Sequence, residues 1–169
     1  MLDAATPPAA NGRPVKQPFE KGPAMSDVLP APPVSAKGLF DLTGKVAVIT
    51  GSSRGIGRAI AERMAEQGAK VVISSRKAGP CEEVAATINA RNPGHAIAVP
   101  ANISSKEDLQ RLMDETRKAF GQIDILVCNA ASNPFYGSQL DISDEAFRKI
   151  LDNNIVANNW MIQMVVPEM

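Results

Sequence analysis

The stretch Lys45-Val46-Ala47-Val48-Ile49-Thr50-Gly51-Ser52-Ser53-Arg54-Gly55-Ile56-Gly57 decides how this chain is read. It begins as an apolar run of strand length and ends in a turn holding three glycines. A helix from about Ile56 to Gln67 follows, with Ile56, Ile60 and Met64 on one face and Arg58 and Glu62 on the other. A glycine turn between a buried strand and a helix suits the pyrophosphate of a dinucleotide, because backbone N–H groups and the positive helix end converge there. Gly51 permits the sharp exit from the strand, and Gly55 and Gly57 allow backbone and helix to approach phosphate without a clashing Cβ. Glycine also marks ordinary structural turns. A second strand about twenty residues on favours the nucleotide reading.

The same alternation continues outward. Gly68 is a natural helix end, and Lys70–Ser74 reads as the second strand. Pro80 suits the first turn of a helix reaching about Arg91, with Val84 and Ile88 facing inward. His95–Val99 reads as the third strand, ended by Pro100. Ser104 and Glu107 have the spacing of a capping box for a helix to Phe120, closed by Gly121. Ile123–Cys128 is the fourth strand, and its unbroken apolar run suits a parallel sheet covered on both faces. Helical pattern resumes near Ser143 and runs to the end. Strand–helix repetition of this kind predicts a doubly wound, Rossmann-like α/β sheet, cut off after the fourth strand and the helix that follows.

Composition changes near residue 40. Eight of the thirteen prolines (Pro7, Pro8, Pro14, Pro18, Pro23, Pro30, Pro32 and Pro33) precede it. Residues 1–40 are therefore expected to be a disordered tail, and 41–169 the nucleotide-binding part. The tail lacks the pattern of a signal or transit peptide, and Met25 is an alternative start. Across the 169 residues, a hydrophobic content of 44% suffices for a core. Eighteen basic residues cancel eighteen acidic ones, which argues against nucleic-acid or anionic-membrane partners. No apolar stretch reaches the roughly 18 residues of a membrane span. Cys81 and Cys128 have no metal-type spacing and read as reduced thiols of a cytoplasmic protein; no metal site is expected.

The spacing Gly-x-x-x-Gly-x-Gly in Thr50–Gly57 resembles the cofactor motif of the short-chain dehydrogenase/reductase family. The resemblance covers residues 41–169 and includes Asn102-Ile103 after the third strand, Asn129-Ala130-Ala131 after the fourth, and Asn153-Asn154 in the later helix. Within the family, Asn129 through Gly137, Ser74-Ser75-Arg76-Lys77 and Val165 through Met169 look most like NADP-dependent carbonyl reductases of the dehydrogenase/reductase-4 type. The resemblance implies cofactor contacts at Gly51, Ser53, Arg54, Gly55, Ile56 and Gly57. It implies others at Asn102 and Ile103, where many relatives have aspartate beside adenine. Asn129, Ala130 and Ala131 match a segment that stabilises the sheet and passes beside the cofactor, so they read equally as strand-end structure.

Cofactor type follows from the end of the second strand. An NAD site places an acidic side chain there for the ribose hydroxyls. This chain has Ser75, Arg76 and Lys77, a hydroxyl and two cations that suit a 2′-phosphate, and Arg54 supplies a third cation. NADP(H) is expected ahead of NAD, with a solvated basic loop as the alternative.

The resemblance also implies a catalytic tyrosine, a lysine four residues later, an upstream serine and an asparagine in the preceding helix. A tyrosine with a pKa near 10 transfers protons poorly at neutral pH unless a cation lowers that value. Asn154 matches the asparagine, or it serves only as a helix residue bonding to backbone. Tyr136 is the sole tyrosine, and Leu140 stands four residues on, so the Tyr-x-x-x-Lys pair is absent and the chain alone is expected to be inactive. His95 reads as structural, and Cys128 as a small apolar residue. Three functions stay open. One is an oxidoreductase transferring hydride between NADP(H) and a small carbonyl or alcohol substrate, homo-oligomeric in its full-length relatives. The others are a nucleotide-binding remnant and a truncated product without turnover.

Overall fold

The computed structural model describes residues 36–169. Most of the expectation for the Pro-rich segment thus lies outside the described residues. Ala36–Leu39 (α1) make one helical turn. Val46–Thr50 (β1) follows and is buried at every position. Then come Gly55–Glu66 (α2), Lys70–Ser74 (β2), Ala78–Asn89 (α3), Ala96–Ala98 (β3), Lys106–Phe120 (α4) and Ile125–Val127 (β4). The strands pair in parallel in the order β3-β2-β1-β4. This is the doubly wound α/β sheet that the alternation predicts.

Strand residues alternate between two cores. Ala47, Ile49, Val71 and Ile73 pack with Ala61, Ala65, Cys81, Val84 and Ile88 on one face. Val48 and Val72 pack with Leu109, Leu112, Met113, Ala157, Met161 and Val165 on the other. Continuous apolar runs are what such double coverage requires. The start of β4 is fixed by Asp124, which accepts a hydrogen bond from the Val46 N–H (2.8 Å) and pairs with Lys45 Nζ (3.1 Å).

Several boundaries and faces differ from expectation. The third and fourth strands are shorter: only Ala96–Ala98 and Ile125–Val127 stand in ladder register, although His95 and Val99 still make backbone hydrogen bonds to β2. Pro80 sits third in α3, still within the turn whose N–H groups have no helical partner. On α2 Gly57, Ala61 and Ala65 are buried and Ile60 and Met64 pack half-buried beside them, whereas Ile56 is 76% exposed. Small residues let this helix lie close to the sheet, and Ile56 turns away toward the strand ends. The cap of α4 is Ser105, not Ser104: its Oγ accepts from the Asp108 N–H (3.1 Å) and donates to Glu107. Gly121 ends α4 in the left-handed conformation (φ 86°), as its position predicts.

After β4 a loop leads to Asp144–Leu151 (α5), capped by Ser143. The helix then widens into a π turn at Asp152–Val156, regains α geometry at Ala157–Val165 (α6), and closes in a 3₁₀ turn. No periodicity in the sequence signals the π turn. Arg117 of α4 fastens this end. It donates to Glu168 and to the Met164 carbonyl, and the Glu168 carboxylate raises the guanidinium's affinity for its proton.

Candidate functional site

The C-terminal ends of the four strands open into one cleft of about 940 Å³. The turn after β1 is built by Ser52, whose hydroxyl donates to the Ile49 carbonyl (2.6 Å) and accepts from the Ser74 N–H (2.9 Å). Gly51 (φ 68°) and Gly55 (φ 57°) both take the left-handed conformation that side chains disfavour. The three glycines act differently. A Cβ on Gly51 would lie 2.9 Å from Ala130 Cα and from Asn129 Nδ2. One on Gly57 would overlap the Gly51 carbonyl and the Asn129 amide, whereas one on Gly55 would meet open space. Gly57 is therefore required by the chain's own backbone, and Gly55 by its dihedral angle.

All fourteen residues expected to touch cofactor line this cleft: Gly51, Ser53, Arg54, Gly55, Ile56 and Gly57 from the turn, Ser75, Arg76 and Lys77 after β2, Asn102 and Ile103 after β3, and Asn129, Ala130 and Ala131 after β4. Thr50, Ser74, Ser104, Ser132 and Asn153 line it too, although the sequence reading assigned them no part. Thr50, Ser74 and Asn153 stand within the motifs themselves, and adjacency to a motif is the one signal for Ser104 and Ser132.

The β2 end of the cleft is electropositive. Among the described residues no carboxylate pairs with Arg54, Arg76 or Lys77. The Ser75 hydroxyl lies 3.1 Å from the buried Cys81 sulfur. Beyond it, the Asn102 N–H donates to Asp108 (2.9 Å), and Asn102 Oδ1 accepts from the Ser104 N–H (3.2 Å). Hydrogen bonds from Arg111 and from the Asn102 backbone hold the Asp108 carboxyl below its ordinary pKa, so it stays ionised.

At the β4 end Thr50 organises the strand exit. Its hydroxyl accepts from the N–H groups of Asn129 (3.1 Å) and Ala130 (3.0 Å) and donates to the Val127 carbonyl (3.3 Å). The Asn129 side chain donates to the Thr50 carbonyl (2.9 Å). Thr50→Val keeps the shape and strips the Ala130 amide of its acceptor, whereas the Asn129 N–H keeps the Val127 carbonyl (3.0 Å). Urea denaturation should show about 1–3 kcal/mol lost, with the slope unchanged. No loss would mean that water replaces the hydroxyl.

Asn154 reaches the cleft through Ser132, which lines it. Its Oδ1 accepts from the Ser132 N–H (2.9 Å) and its Nδ2 donates to the Ser132 carbonyl (3.0 Å). Tyr136 is fully exposed in its loop. The His95 ring nitrogen bonds the Ala69 carbonyl (3.1 Å), a structural role. Both cysteines are free, and burial raises the pKa of Cys128, which keeps it a thiol. Among the described residues no cluster could hold a metal ion, and no helix is long and apolar enough to cross a membrane.

Relatives of known family share this architecture. The human protein named dehydrogenase/reductase SDR family member 4 is 44% identical over 131 residues, covering 76% of this chain and 46% of its own length. A short-chain type dehydrogenase/reductase from Mycobacterium marinum superposes with a TM-score of 0.73 at 33% identity, covering 80% of this chain and 54% of that one. L-Sorbose reductase from Gluconobacter frateurii, solved with NADPH and L-sorbose, superposes with a TM-score of 0.72 at 32% identity, covering 77% and 49%. The chain spans about half the length of the curated relatives it matches. Residues 45–169 match the family model described as short chain dehydrogenase, and with that match the chain belongs to the short-chain dehydrogenase family of oxidoreductases.

Proposed function

We propose that residues 41–169 form the cofactor-binding part of an NADP(H)-dependent oxidoreductase acting on a small carbonyl or alcohol substrate, and that residues 1–40 carry no function of their own. The observation that carries this is the trio Arg54, Arg76 and Lys77, unpaired by any described carboxylate and facing one end of the cleft. Unpaired cations converging on a concave site suit a phosphomonoester, the group that distinguishes NADP from NAD. The cleft volume also lies in the range of small-molecule sites, about 300–1,000 Å³.

In this reading the amides of residues 51–57 hold the pyrophosphate at the start of α2. Ser75, Arg76 and Lys77, with Arg54, bind the 2′-phosphate. Asn102 and Ile103 border the adenine, and Asn129, Ala130 and Ala131 the rest of the dinucleotide. Asn154 positions the loop after β4. When bound, the nicotinamide supplies the hydride chemistry. Proton transfer rests on groups outside these 169 residues, since Tyr136 is followed four positions later by Leu140. The two free thiols suit a reducing compartment such as the cytoplasm. Assembly into homo-oligomers is proposed for the full-length relative.

Titration of the chain with NADPH and NADH, followed by nicotinamide fluorescence, tests the proposal. NADPH should bind at least about tenfold more tightly, as one charge-assisted contact implies. Equal affinities would remove the NADP assignment, and binding of neither would remove the dinucleotide reading.

A further inference from the structure

Asn153 occupies an unexpected place. It stands in register with Ala157, Met161 and Val165, the residues that α6 buries against the sheet, and is itself only 5% exposed. An apolar side chain would be buried there without penalty, whereas an amide is costly unless both of its ends are satisfied. Both are. Its Oδ1 accepts from the Ser104 hydroxyl (2.8 Å), and its Nδ2 donates to Ser132 Oγ (2.6 Å). Asn154 meanwhile takes the backbone N–H and carbonyl of the same Ser132. Neighbouring residues of an α-helix diverge by about 100°. The π turn at 152–156 holds both asparagines against one serine.

These bonds run in one direction. Ser104 gives its proton to Asn153, Asn153 gives one to Ser132 Oγ, and the Ser132 proton has no acceptor among the described residues. Ser132 lines the cleft. It follows β4, whereas Arg76 and Lys77 follow β2, and β1 with its glycine turn lies between those strands. A dinucleotide with its 2′-phosphate at the β2 end and its pyrophosphate at the turn places its other half over β4.

We propose that Ser132 donates a hydrogen bond to an oxygen of the nicotinamide riboside half, and that Asn153 is the positioning residue that aims it. This rests on the dinucleotide reading above. The test measures binding of NADPH and of 2′,5′-ADP, which lacks the nicotinamide half, to the full chain and its variants. Ser132→Ala and Asn153→Val should each weaken NADPH about three- to tenfold, the loss of one hydrogen bond, and leave 2′,5′-ADP within about twofold. Because both act through one hydroxyl, the double variant should lose no more than either single one. Asn153→Val should melt no lower than the wild type, since valine suits its buried position. A merely structural role would move melting and both ligands together.

Unchanged NADPH binding by Ser132→Ala, or a parallel loss of 2′,5′-ADP, would overturn the proposal while leaving the dinucleotide reading intact. A wild-type chain that binds neither probe would overturn both. If Asn153→Val fails to fold, its positioning role is refuted, and Ser132→Ala still decides the hydroxyl.

Discussion

Replacing Arg76 and Lys77 together by alanine should weaken NADPH binding by about two orders of magnitude and leave NADH within about twofold. A charge-assisted hydrogen bond contributes about 1.5–3 kcal/mol. The site is open at this end, so solvent screening trims the pair to about 3 kcal/mol, or about a hundredfold. NADH has no 2′-phosphate and should not register the change. Neither side chain makes an ion pair among the described residues, so the variant should unfold at the same urea concentration as the wild type. Salt sharpens the test. Raising it from 0.1 to 1 M shortens the screening length from about 10 to about 3 Å, and the wild-type preference for NADPH should shrink toward that of the variant. Parallel loss of both nucleotides would instead mean that the residues 75–77 loop supports the cleft mechanically.

Gly57→Ala should damage nucleotide binding far more than Gly55→Ala. Helix propensity alone would make it stabilising by about 1 kcal/mol. The added Cβ meets the Gly51 carbonyl and the Asn129 amide, both held by the sheet, so α2 must move away from the turn. Overpacking of this kind costs about 1–3 kcal/mol. Moving the helix start also displaces the amides proposed to hold pyrophosphate, so binding of both nucleotides should fall below detection. Gly55→Ala is the control. Its Cβ meets nothing, and its cost is the left-handed backbone alone, about 1–2 kcal/mol. Urea denaturation and nucleotide titration of the two variants should therefore separate crowding from dihedral strain. Similar behaviour of the two would show that α2 yields easily.

Much of this was open to inspection in the residues themselves. The apolar run at 46–50 announces a strand covered on both faces, and the spacing of glycines at 51, 55 and 57 announces the turn. The absence of a carboxylate at 74–77 marks the end of β2 as cationic. These features depend on neighbours within a few positions, where periodicity and backbone preference act directly. Ser104 shows where that fails. Its spacing to Glu107 fits a capping box, yet Ser105 caps α4, because the Ser104 hydroxyl meets Asn153, 49 residues away. Ile56 fails in the same way: the helical pattern places it inward, but the close approach permitted by Gly57 turns the small-residue face to the sheet.

Taken alone, then, the order of residues determined the strand–helix alternation, the parallel sheet and the positions that border the cleft. Only the folded chain decided that Gly57 is crowded by Gly51 and Asn129, that a π turn presents Asn153 and Asn154 to one serine, and that Thr50 gathers the amides after β4. The reason is physical. Local pattern selects which elements form, but a hydrogen bond between distant residues exists only once packing has brought their atoms within about 3 Å.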